Sequence, residues 1–428
     1  MSAIKTIKAR EILDSKGTPT VEADLTTDLG TFSASVPSGV STGKNEAVEL
    51  RDGGKRYFGK GVLKAVAIIN EAIAPRLVGE SAADQGKIDW ILRELDGTEN
   101  KSKLGANSIL AISLAVCRAG AAEKGLLLYQ YLADLAGTVP SLPQPCFLII
   151  EGGKHAGNKL AFQEFMVCPE AESFQERLRK GAEIYEVLRL ILEKEKGKLA
   201  TNVGLEGGFS VPCLKTTEEA LDLIKRAIKK AGYQKETKII LDAAATTFFK
   251  NKRYQLEGKK LSREKLLEFY GRLIKKYPLM GIEDAFSEED NEGFQLMTQK
   301  FGKKLLVVGD DFLTTNVKRI QNAQAISAGN ALILKPNQAG TVSETISAAK
   351  EALKNNWQVF VKHRSGETND DFIADLAVGL GTGWIMAGAP ARGERVAKYN
   401  RLLRIEGEMD NSKISLCKYR SKMQNDKR

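Results

Sequence analysis

From about residue 144 onward the chain repeats one pattern. A short apolar run closes on a charged or hydrogen-bonding residue, and a long charged amphipathic segment follows. The runs are FLIIEGGKH, FQEFMVCP, TNVGLEGG, KIILDAAA, LMGIEDAF, LLVVGDDF, ALILKPNQ, VFVKHRSG and GWIMAGAP, with segments such as CLKTTEEALDLIKRAIKKAGY and REKLLEFYGRLIKKYP between them. Strands separated by helix-length segments pair in parallel through crossovers, and a long series of them closes into a barrel. Catalytic groups of such a barrel sit at the C-terminal ends of its strands. Apolar runs that end in Asp, Glu, Lys or Arg therefore mark a candidate site.

The chain has 428 residues, too many for one ordinary core. Its first part reads as α+β. VEADLTTDLGTFSASVPSG predicts a strand pair turning at DLG, and KAVAIINEAIAPRLVG and KSKLGANSILAISLAVCRAGAAEKG carry helical periodicity with glycine stops. Prolines crowd AGTVPSLPQP, so the expected division is a capping domain over 1–137, a catalytic barrel over 138–412 and a basic tail over 413–428.

No window approaches 18 uninterrupted apolar residues, which argues against a membrane span. The start, MSAIKTIKAREILDSKG, has no apolar h-region, and the five cysteines form no CxxC; free thiols in the cytoplasm are expected. Net charge is +10, with much of the excess in KISLCKYRSKMQNDKR. That tail is expected to be a solvated end. A hold on nucleic acid or an anionic surface is the less favoured alternative, because no aromatic ladder or zinc spacing accompanies the charge.

Three successive runs end in Asp242, Glu283 and Asp310. Three carboxylates cannot converge without a cation, and an all-oxygen set suits Mg²⁺. The next run ends in Lys335, a candidate base where neighbouring cations lower its pKa, followed by His363, Arg364 and Ser365, of which Arg and Ser suit an oxyanion or phosphate. On the other side lie His155, Gln163, Glu164 and Glu206, the last among glycines that let backbone approach a ligand. Glutamates facing a lysine across a metal suit proton abstraction beside a metal-bound carboxylate, followed by loss of a leaving group.

Longer stretches carry a resemblance. REILDSKGTPTVEAD, VPSGVSTGKNEAVELRD, LDGTENKSKLGANSILAISLAV, GGKHAGNKLAFQEFM, VGLEGGF, IILDAAA, GIEDAF, VGDDFLTTN, LILKPNQAGT, HRSGETNDDFIADLAVGL and GAPARGERVAKYNRLLRIE follow one another in order. With these the chain resembles the enolase (phosphopyruvate hydratase) family over nearly its full length. The resemblance implies an N-terminal α+β cap and a ββαα(βα)6 barrel. It implies interconversion of 2-phosphoglycerate and phosphoenolpyruvate with two Mg²⁺ per site, in a homodimer. It makes Lys335 the base at C2 and Glu206, with Glu164 beside it, the acid at the departing hydroxide. Asp242, Glu283 and Asp310 would hold the first Mg²⁺ and Ser41 would help hold the second. His155, Gln163, His363, Arg364 and Ser365 would contact substrate, Arg364 and Ser365 at its phosphate.

The departures cluster around that site. GLEGG stands where the family reads GDEGG, leaving Leu205; EGGKH brings Glu151 and Lys154; SGVSTG brings Val40. The family's lysine in IKxGAP, on the substrate-carboxylate side, is Met386. Methionine offers no charge and only a weak acceptor. One lost charge-assisted contact in a closed site costs on the order of 2–4 kcal/mol, or about 10²–10³ in rate. Lys154 and Lys44 are the candidate substitutes. The expectation is a working enolase with a modified site. The alternative is an enolase-fold protein of impaired or altered activity, retained for binding, to which Met386, Leu205 and Lys154 would point.

Overall fold

The structure is a computed structural model that describes residues 2–40 and 43–425, with side chains described through residue 410. Ser41 lies outside the described residues, and so do the side chains of the basic tail.

The first part opens with an antiparallel meander, β1 (Thr6–Leu13), β2 (Pro19–Thr27) and β3 (Gly30–Ser35). Thr27 pairs with Gly30 across the Asp28–Leu29 turn. The turn is the one expected from DLG, and β1 is a strand the sequence reading did not include. Helices at Gln85–Asp96, Ala106–Glu123 and Leu128–Ala136 follow. Ala106–Glu123 is buried almost all round, which is how it can carry an apolar run without a polar face.

The second part is a closed barrel. Its strands in chain order are β4 (Gln144–Glu151), β5 (Glu164–Pro169) and β6 (Thr237–Asp242). A small outer sheet follows, β7 (Phe249–Lys250), β8 (Arg253–Leu256) and β9 (Lys259–Leu261). The barrel resumes with β10 (Leu279–Glu283), β11 (Leu306–Gly309), β12 (Ala331–Leu334), β13 (Gln358–Lys362) and β14 (Gly383–Met386). Around the ring the order is β10-β11-β12-β13-β14-β4-β5-β6. Only β5 runs antiparallel to its neighbours. Helices Phe174–Lys196 and Thr217–Ala231 fill the gap between β5 and β6, which is the ββαα opening. Thr217–Ala231 is delimited by local chemistry: Thr216 and Glu219 form a capping box, and Gly232 takes the left-handed C-terminal position at φ 89°.

Two details differ from the sequence reading. TNVGLEGG is not a barrel strand; Lys198–Thr201 is a helical turn, Val203 and Phe209 form a bridge within the loop, and the loop meets the barrel through an isolated bridge between Phe209 and Ile150. Glycines that permit close approach to a ligand also break a ladder. Glu164 begins its strand rather than ending it, and because β5 is antiparallel its start lies at the barrel mouth. The ladder there sets Glu151 opposite Glu164, Glu164 opposite Asp242 and Asp242 opposite Glu283.

The first part is tied to that mouth. Ser38 and Gly366 exchange both backbone hydrogen bonds, at 2.7 and 2.9 Å, and Arg118 grips Asp370 through two bonds of 2.8 Å. Within the barrel a separate apolar cluster includes Leu148, Met166, Ile240, Val308, Ile333, Phe360 and Met386.

Candidate active site

Ten of the residues expected in the site are brought together at the barrel mouth, all of them buried. One pocket is lined by His155, Gln163, Glu164, Glu206, Asp242, Asp310, Lys335, His363, Arg364 and Ser365, together with Lys362. Glu283 is fully buried beside it.

Lys362 is the cation that sequence reasoning missed. Its Nζ donates to Glu283 Oε1 at 2.7 Å and lies 3.1 Å from Glu164 Oε2 and 3.7 Å from Asp242 Oδ2. Burial disfavours its charge, yet Glu164, Glu283 and Asp242 more than offset this and push its pKa well up. Lys154 and Lys44, the two expected substitutes, are exposed. A signal was present: Lys362 is the last residue of the run VFVK.

The carboxylate set can hold a hard cation. Glu283 Oε2 is buried without a hydrogen-bond partner, and Asp242, Glu283 and Asp310 offer oxygen alone. Asp242 Oδ1 accepts from the Ala244 N–H at 2.8 Å and its Oδ2 from Gln163 Nε2 at 3.2 Å. Asp310 takes Gln338 Nε2 at 2.9 Å on one oxygen and Lys335 on the other. Among the described residues the tightest groups of possible ligand atoms, within 4.8 Å of one another, are His155–Glu164–Glu206 and Asp284–Asp310–Asp311. The expected trio is not gathered that tightly. Ala244 and Asp284, the second residue after Asp242 and the first after Glu283, both have φ of 42°. A non-glycine left-handed backbone is costly, and its recurrence beside these carboxylates fits a site whose geometry is held by its surroundings.

Charge is shared unevenly among the acids. Burial, with Glu206 and Asp242 nearby, pushes Glu164 well above the usual carboxylate range despite Lys362. Burial also works against charge on Glu206, but His155, His363 and Arg395 around it outweigh burial and hold it well below that range. The two environments therefore favour the neutral form at Glu164 and the charged form at Glu206. Glu206 Oε1 lies 3.4 Å from His155 Nδ1 and its Oε2 lies 3.3 Å from His363 Nε2. His363 is itself held neutral, its pKa lowered to about 4 mainly by burial. What reaches Glu206 from His363 is therefore an N–H dipole.

One departure from the family pattern is explained by its contacts, and nothing in the structure explains the side chain of Leu205. Glu151 is buried, and its Oε1 accepts from the N–H groups of Glu206 and Gly208 at 2.9 and 2.7 Å. It fixes the glycine loop that carries Glu206. A Cβ at Gly204 would collide with this carboxylate, so the loop can pass only as glycine. Burial and Glu206 raise the Glu151 pKa to about 8. Leu205 gives its carbonyl to Arg395 at 3.1 Å. Met386, for its part, is fully buried in the apolar barrel cluster.

Arg364 Nη1 donates to Glu46 Oε2 at 2.7 Å and to Asn337 Oδ1 at 3.2 Å. Ser365 Oγ accepts from the Val40 N–H at 3.2 Å. Glu46 and Arg395 were not found from sequence, since they stand 318 and 31 residues from Arg364.

Comparisons with known proteins place the chain by its sequence. A family profile described as "Enolase, N-terminal domain" matches residues 4–132, and one described as "Enolase, C-terminal TIM barrel domain" matches 139–424. The chain is 53% identical over 424 residues to an enolase of Mastigamoeba balamuthi, covering 96% of each chain. It is 52% identical over 414 residues to an enolase of Methanocaldococcus jannaschii, covering 96% of this chain and 97% of that one.

Proposed function

The chain belongs to the enolase family, and from that premise we infer how its barrel-mouth pocket interconverts 2-phosphoglycerate and phosphoenolpyruvate. It is a lyase, a phosphopyruvate hydratase. The observation that carries the assignment of roles is that Lys335 and the Glu164–Glu206 pair line one buried pocket together with the carboxylates of Asp242 and Asp310.

Lys335 is the base for the proton at C2. Neighbouring cations were expected to lower its pKa, but burial, Arg364 and Lys362 are outweighed by Asp310 and Glu283, and the net shift is upward. Its basicity thus depends on how far Asp310 is engaged elsewhere. Glu206 serves the departing hydroxide, with Glu164, the member of the pair whose pKa is raised, beside it as the carboxyl that keeps its proton. His155 and Gln163 contact the substrate, His363 aligns Glu206, and Arg364 with Ser365 receives the phosphate. Asp242, Glu283 and Asp310 would hold one Mg²⁺ and Ser41 would help with a second. When bound, these ions supply neutralisation of the charge that builds at the substrate carboxylate.

Homodimeric assembly and a cytoplasmic setting belong to the same reading and rest on the resemblance. Among the described residues no helix is long and apolar enough to cross a membrane. The division into a cap over 1–137, a barrel over 138–412 and a tail from 413 is supported by the break between the helix ending at Ala136 and the strand beginning at Gln144.

The test is formation of phosphoenolpyruvate from 2-phosphoglycerate, with and without Mg²⁺. Metal-dependent turnover is expected. No turnover above the metal-free blank at high enzyme concentration contradicts the reading.

A further inference from the structure

Lys362 and Met386 are register partners in the parallel pair β13–β14. Residues at one level of adjacent strands point to the same face, and both are buried, Met386 fully and Lys362 with 3% exposure. Met386 sits in the apolar cluster of the barrel. Lys362 instead sends its ammonium across the ring. β5 and β10, which carry Glu164 and Glu283, each lie three strands from β13. The ammonium ends 3.1 Å from the first and 2.7 Å from the second, at the wall of the pocket.

A buried ammonium is costly to place unless something needs it. The surroundings have the need, since Glu164, Asp242 and Glu283 occupy paired positions on β5, β6 and β10 and all lie within 3.7 Å of the ammonium. The two expected alternatives, Lys44 and Lys154, are exposed. Adjacent strands are about 4.8 Å apart, so a lysine displaced by one strand still delivers its charge to the same volume.

We propose that Lys362 is the cation that position 386 lacks: the charge stands one strand along the barrel, on β13 instead of β14, and acts on the substrate's carboxylate side of the pocket. The proposal rests on the reading of the pocket as an enolase site. It makes Lys362 and Met386 an exchangeable pair rather than two independent departures.

The test is the exchange itself. Lys362→Met, Met386→Lys and the double variant are assayed beside the unaltered protein for kcat and KM. Mg²⁺ binding in the absence of substrate is measured by calorimetry, and fold by circular dichroism and thermal melting. Lys362→Met is expected to lose roughly 100- to 1000-fold in kcat/KM. It is expected to bind Mg²⁺ alone no more weakly, because a competing positive charge has left the carboxylates. The double variant is expected to recover at least about tenfold of the loss. A counter-ion that served stability alone would give back melting temperature in the double variant without giving back kcat.

The proposal is overturned if Lys362→Met stays within about threefold of the parent, or if a folded double variant is no better than the single one. If Lys362→Met does not fold, the double variant is compared directly with the parent. Activity within about tenfold then supports the exchange, and a folded, inactive protein overturns it. Failure of the enolase reading looks different, because the unaltered protein itself would then show no turnover.

Discussion

Arg395 donates to Nδ1 of His363 at 2.5 Å, and the imidazole thereby presents Nε2–H to Glu206 Oε2 at 3.3 Å. An arginine cannot accept, so Nδ1 carries no proton and the tautomer is set. The same guanidinium holds the carbonyls of Arg364 and Ser365 at 2.6 and 2.7 Å and is itself fully buried. One side chain therefore fixes both the Arg364–Ser365 backbone and the imidazole that faces Glu206.

The first prediction follows from His363. It binds a proton near pH 6.5 when unfolded and only near 4 when folded. Its contribution to stability is fully present above about pH 6.5 and is lost as pH falls to about 4, on the order of 3 kcal/mol. Because the chain has two histidines, nuclear magnetic resonance can follow each. The His363 ring should stay neutral to about pH 4, and Arg395→Gln, where folded, should raise its midpoint. An unmoved midpoint would sever the link between the two residues.

Glu151 behaves in the opposite sense. Its folded pKa of about 8 lies above the ordinary value of 4.5. The stability it contributes is fully present below about 4.5 and is lost as pH rises to about 8. Glu151→Gln keeps an acceptor for Glu206 and Gly208 and should flatten this decline in chemical denaturation at stepped pH. Glu151→Ala leaves two buried N–H groups unpaired and should cost about 2–4 kcal/mol at any pH. Equal pH profiles for the parent and Glu151→Gln would contradict the assignment.

Mg²⁺ should stabilise the folded protein through Glu283. At a hundredfold excess over Kd the gain is about 2.7 kcal/mol, read as a rise in Tm. Glu283→Gln can still accept from Lys362 but loses an anionic ligand, so most of the rise should vanish. An undiminished rise would place the metal elsewhere.

Restoring a lysine at position 386 alone should not help. Met386→Lys sets a second ammonium at the level of Lys362, within an apolar cluster. The expected outcome is no gain in kcat/KM and a loss of about 3 kcal/mol or more in stability. A large gain would mean that Lys362 does not supply the missing charge.

Much of this was legible in the sequence because strands and charges coincide. Asp242 and Glu283 each end an apolar run that is a barrel strand, and Asp310 and Lys335 each directly follow one, so composition along the chain located them. Glu164 was found on its residue type, but its antiparallel strand was not, since a period of two carries no direction. Glu206 sits on a glycine loop that looks like a strand until its ladder is examined. Lys362 closes the run VFVK and was missed beside the His363, Arg364 and Ser365 that follow it; it stands in register with Met386, buried beside Glu164 and Glu283. Glu46 and Arg395 reach the site from distant elements, and no local pattern announces a contact made by folding.

The most direct test of the central claim is hydron exchange at C2 of 2-phosphoglycerate in deuterated, Mg²⁺-containing buffer. It separates proton removal by Lys335 from departure of hydroxide assisted by Glu206. Glu206→Gln should exchange the C2 proton while forming almost no phosphoenolpyruvate, and Lys335→Ala should do neither. Exchange at the parental rate in Lys335→Ala would contradict the account.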